Sequence, residues 1–241
     1  MNTKDNSTYF RGWEYSKTGD YHRNLDLSWS YAPTYLQKDK LVRAFIKAIG
    51  QNKKILDIGC GEGVFVEDFA KEGWDIQGLD LNYESQYVRR GSVLKLPFED
   101  ATLDAVMLLD VFEHLAFSDQ MPALAEIHRV LKKGGLFFTS IPNLAHFNSR
   151  FTLVLKGKLD RTDHELDHPG ERPYQENRFL LQESGFDITQ CVGVTLTVPL
   201  LYRQLVCRRA KRFRWLHDLF EPVARVSPSL AMIDFFTCEK I

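Results

Sequence analysis

The chain has 241 residues, a net charge of −1, 44% hydrophobic and 12% aromatic residues, enough to bury one sizeable core without a global field that would draw it to nucleic acid. Its four cysteines, 60, 191, 207 and 238, form no C-x-x-C pair, which argues against a zinc site or disulfide frame and for reduced thiols in the cytoplasm. The first residues lack an apolar signal core and no stretch reaches the ~18 apolar residues of a spanning helix, so a soluble or at most peripheral protein is expected.

Residues 1–40 read as a polar arm carrying Tyr9, Trp13, Tyr15, Tyr21, Trp29 and Tyr31, suited either to closing over a pocket or to anchoring the arm on the core. Lys40–Ile49 has helical apolar spacing, with Leu41, Phe45 and Ala48 inward and Gly50 as its stop. Ile55, Leu56 and Ile58 then form a short apolar run, the pattern of a central parallel strand. Gly59, Gly61 and Gly63 follow at alternate positions, where the missing Cβ allows a sharp turn and lets a ligand lie against the main chain.

Val64, Phe65, Phe69 and Ala70 recur at helical spacing beyond the turn, and the N-terminus of such a helix suits an anionic group such as a carboxylate. The spacing Gly-x-Gly-x-Gly is tighter than the G-x-G-x-x-G fingerprint that accommodates a pyrophosphate. Asp57, two residues ahead, would repel a pyrophosphate and attract an ammonium group, as on a methionyl moiety. Asp75–Asp80 reads as a second strand whose terminal carboxylate is placed for a ribose diol.

From here the sequence resembles the class I S-adenosylmethionine-dependent methyltransferases of the type 11/type 23-like branch. Gly91–Phe98 is similar to that family's third-strand exit, Asp104–Leu115 to its fourth strand and following loop, and Ile127–Phe138 to the next helix, its glycine stop and the fifth strand. The likeness spans about residues 53–143. It implies a Rossmann-like doubly wound α/β sheet, mostly parallel with an antiparallel last strand, in the order 3-2-1-4-5-7-6. It also implies S-adenosyl-L-methionine as cofactor and S-adenosyl-L-homocysteine as product. The residues so implicated are Asp57, Gly59, Gly61 and Gly63 for the methionyl part, Asp80 for the ribose and Ser92 with Val93 for the adenine, with Cys60, Leu81 and Leu109 as further cofactor-binding positions. Ser92 stands where many relatives carry an aspartate.

Phe186–Val194 and Ala231–Cys238 read as strands that the resembled fold pairs antiparallel at the sheet edge, and Arg178–Ser184 as a helix ended by Gly185. One domain over 41–241 is expected, with insertions near 144–173 and 195–230. The first carries His146, His164 and His168, and resembles a branch acting on sugars and glycolipids; an acceptor loop and a solvated turn both fit it. The second interleaves Arg203, Arg208, Arg209, Lys211, Arg212 and Arg214 with apolar residues, so 199–216 fits peripheral membrane contact or a helix packed on the core with its basic face in water.

Reacting groups in such sheets gather at the carboxyl ends of the strands. That singles out Asp110, Glu113 and His114 after the fourth strand and His146 after the fifth. His114 is the leading proton acceptor, with Asp110 and His146 beside it. No metal is required by this reading, although Asp110-x-x-Glu113-His114 resembles the acidic pair plus histidine that holds a divalent ion in ubiquinone-pathway O-methyltransferases. The expected activity is O-methylation of a small, sugar or lipid-linked acceptor. A non-catalytic S-adenosylmethionine-binding or membrane-adaptor protein and an NAD(P)-dependent oxidoreductase are the alternatives.

Overall fold

The short apolar runs seen in the sequence form the centre of a seven-stranded sheet. β1 (Ile55–Ile58) is buried at every position and pairs in parallel with β2 (Ile76–Asp80) and β4 (Leu103–Leu109). β3 (Val88–Arg90) extends the sheet beyond β2, and β5 (Leu131–Pro142) beyond β4, both in parallel. β7 (Ile233–Lys240) lies antiparallel between β5 and the edge strand β6 (Phe186–Val194). The order β3-β2-β1-β4-β5-β7-β6 is the one expected from the family likeness.

This is a computed structural model, and it describes residues 25, 27, 31–159, 168–199, 201–202 and 210–241. Tyr9, Trp13, Tyr15, Tyr21 and Trp29 of the arm, His164 of the first insertion and Arg203, Arg208 and Arg209 of the second lie outside the described residues, as does the side chain of Lys211.

Alternation of side chains along the strands divides the core into two layers. On one face Leu56, Ile58, Val106, Leu108 and Phe137 pack with Leu124 and Ile127 of α3 (Phe117–Val130) and Leu181 of α5 (Tyr174–Glu183). On the other, Ile55, Met107, Phe138 and Phe235 meet α1 (Ala32–Ile49) and α2 (Val64–Lys71). Phe45 of α1 stacks on Phe138 at 4.3 Å between centroids. Each such side chain taken fully out of water contributes roughly 1.5–3 kcal/mol.

Four element boundaries differ from the sequence reading. α1 starts at Ala32 rather than Lys40, with Pro33 in its first turn. Its early turns bury Thr34, Gln37 and Lys38, polar residues with distant partners, so apolar periodicity does not reveal them. α5 likewise starts at Tyr174, four residues before the expected Arg178. Gly134-Gly135 does not stop α3, which ends at Val130. These glycines lie within β5, where Gly134 at φ 71° absorbs a register shift between the Leu103–Leu131 and Ala105–Leu136 pairs. β7 runs Ile233–Lys240 rather than 231–238, because Lys240 still pairs with Phe186.

The insertions contribute α4 (Phe147–Lys156) after β5 and α6 (Ala210–Val226) between β6 and β7. α6 is kinked at Phe213 and carries Pro222. Arg225 of α6 donates to Gln37 Oε1 of α1 at 3.0 Å, which ties α6 to the first helix. Among the described residues, no helix is long and apolar enough to cross a membrane.

Candidate active site

The loop from β1 to α2 holds three left-handed glycines, with φ of 69° at Gly59, 57° at Gly61 and 70° at Gly63. A Cβ on Gly59 would stand 2.2 Å from Val111 Cγ2, and one on Gly63 2.6 Å from Val88 Cγ2. Both the turn and the close packing of neighbouring loops therefore require glycine. Asp80 at the end of β2 fastens the loop. Its Oδ2 accepts the Gly61 N–H at 2.8 Å, while Oδ1 accepts from Asn82 at 2.8 Å and Tyr83 at 3.2 Å. Asp57 is 2% exposed at the tip of β1. The amide end of α2 and two carboxylates thus share the carboxyl edge of the sheet, a cradle for a ligand with an anionic group, an ammonium and hydroxyls.

Two of the residues expected at the cofactor, Ser92 and Val93, lie in the loop after β3. Ser92 Oγ accepts the Leu94 N–H at 3.2 Å, while Val93 is buried in the core and Leu109 closes β4. Leu81 is exposed, and Cys60 is half-buried with its sulfur near the Leu79 carbonyl.

At the end of β4, Asp110 takes a left-handed φ of 52°. Its carboxylate accepts from Lys38 of α1 and from the Ser140 hydroxyl of β5. Burial alone would raise its pKa, but the Lys38 ammonium and these hydrogen bonds outweigh it and hold Asp110 below the usual carboxylate range. Glu113, in the 3-10 turn Phe112–His114, is 2% exposed and its Oε2 has no hydrogen-bond partner. Burial, then the Asp110 charge, pushes its carboxyl well above the ordinary range.

Segment 168–172 of the first insertion folds back onto this turn. Gly170 N–H donates to the Glu113 carbonyl at 3.0 Å, and Gln120 Nε2 to the Gly170 carbonyl at 2.8 Å. A Cβ at Gly170 would lie 2.1 Å from the Leu115 carbonyl oxygen, so the docking needs glycine. Docking brings the His168 ring edge-on to His114, with centroids 4.7 Å apart and planes at 85°. His168 Nδ1 is 2.8 Å from Glu171 Oε1, itself on a buried side chain. Glu113, His114 and His168 each offer a ligand atom, all within 4.8 Å of one another. His168 and Glu171 join the site through fold-back of the loop, and the local spacing His168-Pro169-Gly170-Glu171 is its only trace in the sequence.

His146 is not one of that cluster; it stands at the start of α4 with Nδ1 2.8 Å from Thr197 Oγ1. Asn143 just before it anchors the loop, donating to the Ser229 and Ala231 carbonyls and accepting from Ala145 and Tyr174. A second polar cluster joins α1, α6 and the segment after β6. Thr34 and Thr195 share a 2.7 Å hydroxyl contact, and Glu221 Oε2 accepts the Thr195 N–H at 3.1 Å. His217 Nε2 lies 3.6 Å from the same carboxylate oxygen. Burial lowers His217 to about 4 and raises Glu221 to about 7, so at neutral pH the contact joins a neutral imidazole to a half-titrated acid. Lys38, Ser140, Glu171 and this cluster have no signature in the sequence, since a lone lysine or threonine carries no pattern of its own.

Residues 56–139 match the family described as "Methyltransferase domain". Over 152 residues the chain is 30% identical to a Mycolicibacterium smegmatis protein named a probable S-adenosylmethionine-dependent methyltransferase, covering 59% of this chain and 55% of that one. Over 158 residues it is 28% identical to the ubiquinone biosynthesis O-methyltransferase of Vibrio parahaemolyticus, covering 59% and 66%. The chain thus spans less than two thirds of the length of these relatives. A crystal structure of a SAM-dependent methyltransferase from Archaeoglobus fulgidus superposes with a TM-score of 0.56 at 18% identity, over 86% of this chain and 94% of that one, which bears on the fold. The glycine turn, the two strand-end carboxylates and the seven-stranded order agree with these likenesses, and residues 56–139 of this chain are similar to a methyltransferase domain.

Proposed function

We propose that the protein transfers a methyl group from S-adenosylmethionine to an oxygen of a small, sugar or lipid-linked acceptor. The observation that carries this is the shared carboxyl edge of β1 and β2, where three left-handed glycines, Asp57 and Asp80 surround the amide end of α2. When bound, the cofactor supplies a methyl group on a sulfonium. The amide end of α2 would hold the methionyl carboxylate, Asp57 the ammonium and Asp80 the ribose hydroxyls, with Ser92 and Val93 beside the adenine. The chain's part in the reaction is to hold the acceptor oxygen in line behind the methyl group and to keep water out. The C–O bond forms as the C–S bond breaks, and the hydroxyl proton leaves to a group at the β4 end. An O-methyltransferase among the curated relatives supports oxygen as the target.

The test is calorimetric titration with S-adenosylmethionine, S-adenosylhomocysteine and NADH, followed by assay of S-adenosylhomocysteine release with hydroxylated sugars, phenols and lipid extracts. Binding of the sulfonium cofactor with turnover on a hydroxyl acceptor is expected. NADH binding alone would favour an oxidoreductase, and cofactor binding without turnover on any extract a non-catalytic protein.

A peripheral membrane role through 199–216 is a second reading. It is favoured by Trp215 and Leu219 of α6, which are 60% and 61% exposed beside Arg212 and Arg214. Co-sedimentation with anionic vesicles should weaken with salt and in Arg208→Glu/Arg212→Glu, whereas salt-independent or absent binding would remove this reading.

A further inference from the structure

The likeness of Asp110-x-x-Glu113-His114 to ubiquinone-pathway O-methyltransferases would put a divalent ion on those three residues, and the structure does not fit that set. Asp110 is already neutralised by Lys38 and accepts from Ser140, so it is committed to a protein cation. Glu113 instead lies among different neighbours. Its carboxylate shares a 4.8 Å cluster with the ring nitrogens of His114 and His168, and its Oε2 is buried without a hydrogen bond. A buried carboxylate oxygen with no donor costs about 1–3 kcal/mol unless something compensates it.

We propose that Glu113, His114 and His168 form a site for a first-row transition-metal ion such as Zn²⁺ or Co²⁺, with Glu171 orienting His168 from behind. Two imidazoles and one carboxylate make a nitrogen-rich set, which favours borderline ions over the oxygen-seeking Mg²⁺. A histidine ligand usually donates its other ring N–H to a carboxylate that fixes tautomer and orientation, and the 2.8 Å contact of His168 Nδ1 with Glu171 Oε1 has that form. The ion would balance the two buried carboxylates Glu113 and Glu171. His114 is exposed, which leaves a route for the ion and an open coordination position. The ligand set depends on the Gly170 docking that brings the insertion to the 3-10 turn. In this assignment His114 is a ligand rather than a proton acceptor, and the site stands whether or not the methyl-transfer reading does.

The test uses tag-free, full-length, chelator-treated protein without cofactor or acceptor. Calorimetry should give one Co²⁺ or Zn²⁺ per chain, bound at least tenfold more tightly than Mg²⁺. Co²⁺ should show the visible d–d bands of a low-coordinate nitrogen–oxygen site. Glu113→Gln and His168→Gln should each weaken binding tenfold or more, and Glu171→Gln by about 10–100-fold, the usual cost of losing an orienting partner. Asp110→Asn removes a nearby charge and no ligand, and should weaken binding less than His168→Gln does, with thermal melts confirming that each variant is folded. If Asp110→Asn unfolds, Ser140→Ala serves in its place and should leave affinity unchanged. Failure of the wild type to bind Co²⁺ or Zn²⁺, unchanged affinity in His168→Gln, or preference for Mg²⁺ would overturn the assignment.

Discussion

Lys38 of α1 reaches across the carboxyl edge of the sheet to the carboxylate of Asp110 at the end of β4, and this ion pair fastens the first helix to that edge. The lysine is 9% exposed and the aspartate 29%, so the pair lies between surface and core. Removing the ammonium strands a carboxylate that Ser140 alone cannot satisfy. Lys38→Met should cost about 1–3 kcal/mol, a fall in Tm of roughly 2–4 °C per kcal/mol for a chain of this size. Because folding lowers the Asp110 pKa, its contribution is present above the unfolded value of 3.8 and is lost as pH falls through the folded one. The variant's melting point should accordingly depend less on pH in the acid limb. A double-mutant cycle with Asp110→Asn checks the pairing, and additive losses would refute it.

Gly63 tests the turn. It has φ of 70°, and a Cβ there meets Val88 Cγ2 at 2.6 Å. Gly63→Ala should destabilise the protein by about 1–3 kcal/mol through the combined backbone strain and clash. S-adenosylhomocysteine affinity should fall with it, as the amide end of α2 shifts. Adding Val88→Ala relieves only the clash, so partial rescue of Tm is the expected result. Full rescue would mean that the left-handed conformation carries no strain.

The parts of this molecule legible in its sequence are those written in short local patterns. β1, the glycine turn and β6 are each legible from a few adjacent residues: β1 because burial on both faces leaves an uninterrupted apolar run, β6 because a half-buried edge strand alternates apolar and polar side chains. The opening of α1 is not, since Thr34, Gln37 and Lys38 are buried by partners at Thr195, Arg225 and Asp110. A polar side chain made core by distant contacts looks like solvent-facing residue until the fold is known. His114 is legible because it follows a recognisable strand. The approach of His168 to it is not, because that depends on Gly170 fitting against the Leu115 carbonyl.

Glu221 and His217 make opposing contributions to pH stability. Folding raises Glu221 from 4.5 to about 7, so its contribution is full below pH 4.5 and is lost as pH rises to about 7. Folding lowers His217 from 6.5 to about 4, so its contribution is full above pH 6.5 and is lost as pH falls to about 4. Glu221→Gln keeps a carbonyl for the Thr195 N–H and removes only the first effect. Unfolding free energies at pH 4.5 and pH 8 should therefore differ more favourably toward pH 8 in the variant than in the wild type, by up to about 3 kcal/mol. An identical pH profile in the two proteins would show that Glu221 ionises freely in the folded state.

Asp234 presents the clearest local conflict between sequence and fold. It lies inside β7, flanked by Ile141 of β5 and Gly193 of β6, fully buried, and neither carboxylate oxygen has a hydrogen-bond partner. Burial raises its pKa well above 3.8, so folding favours the neutral acid. With the folded pKa above the unfolded one, stability is full below pH 3.8 and declines as pH rises toward the folded value. Asp234→Val has similar volume, a better strand propensity and no group to desolvate. The variant should be more stable than the wild type by about 1–3 kcal/mol at pH 8, with the gain shrinking toward pH 4. Denaturant titrations at the two pH values decide this. A variant less stable than the wild type at pH 8 would mean that the carboxylate does work in the folded protein, in a contact that its burial conceals.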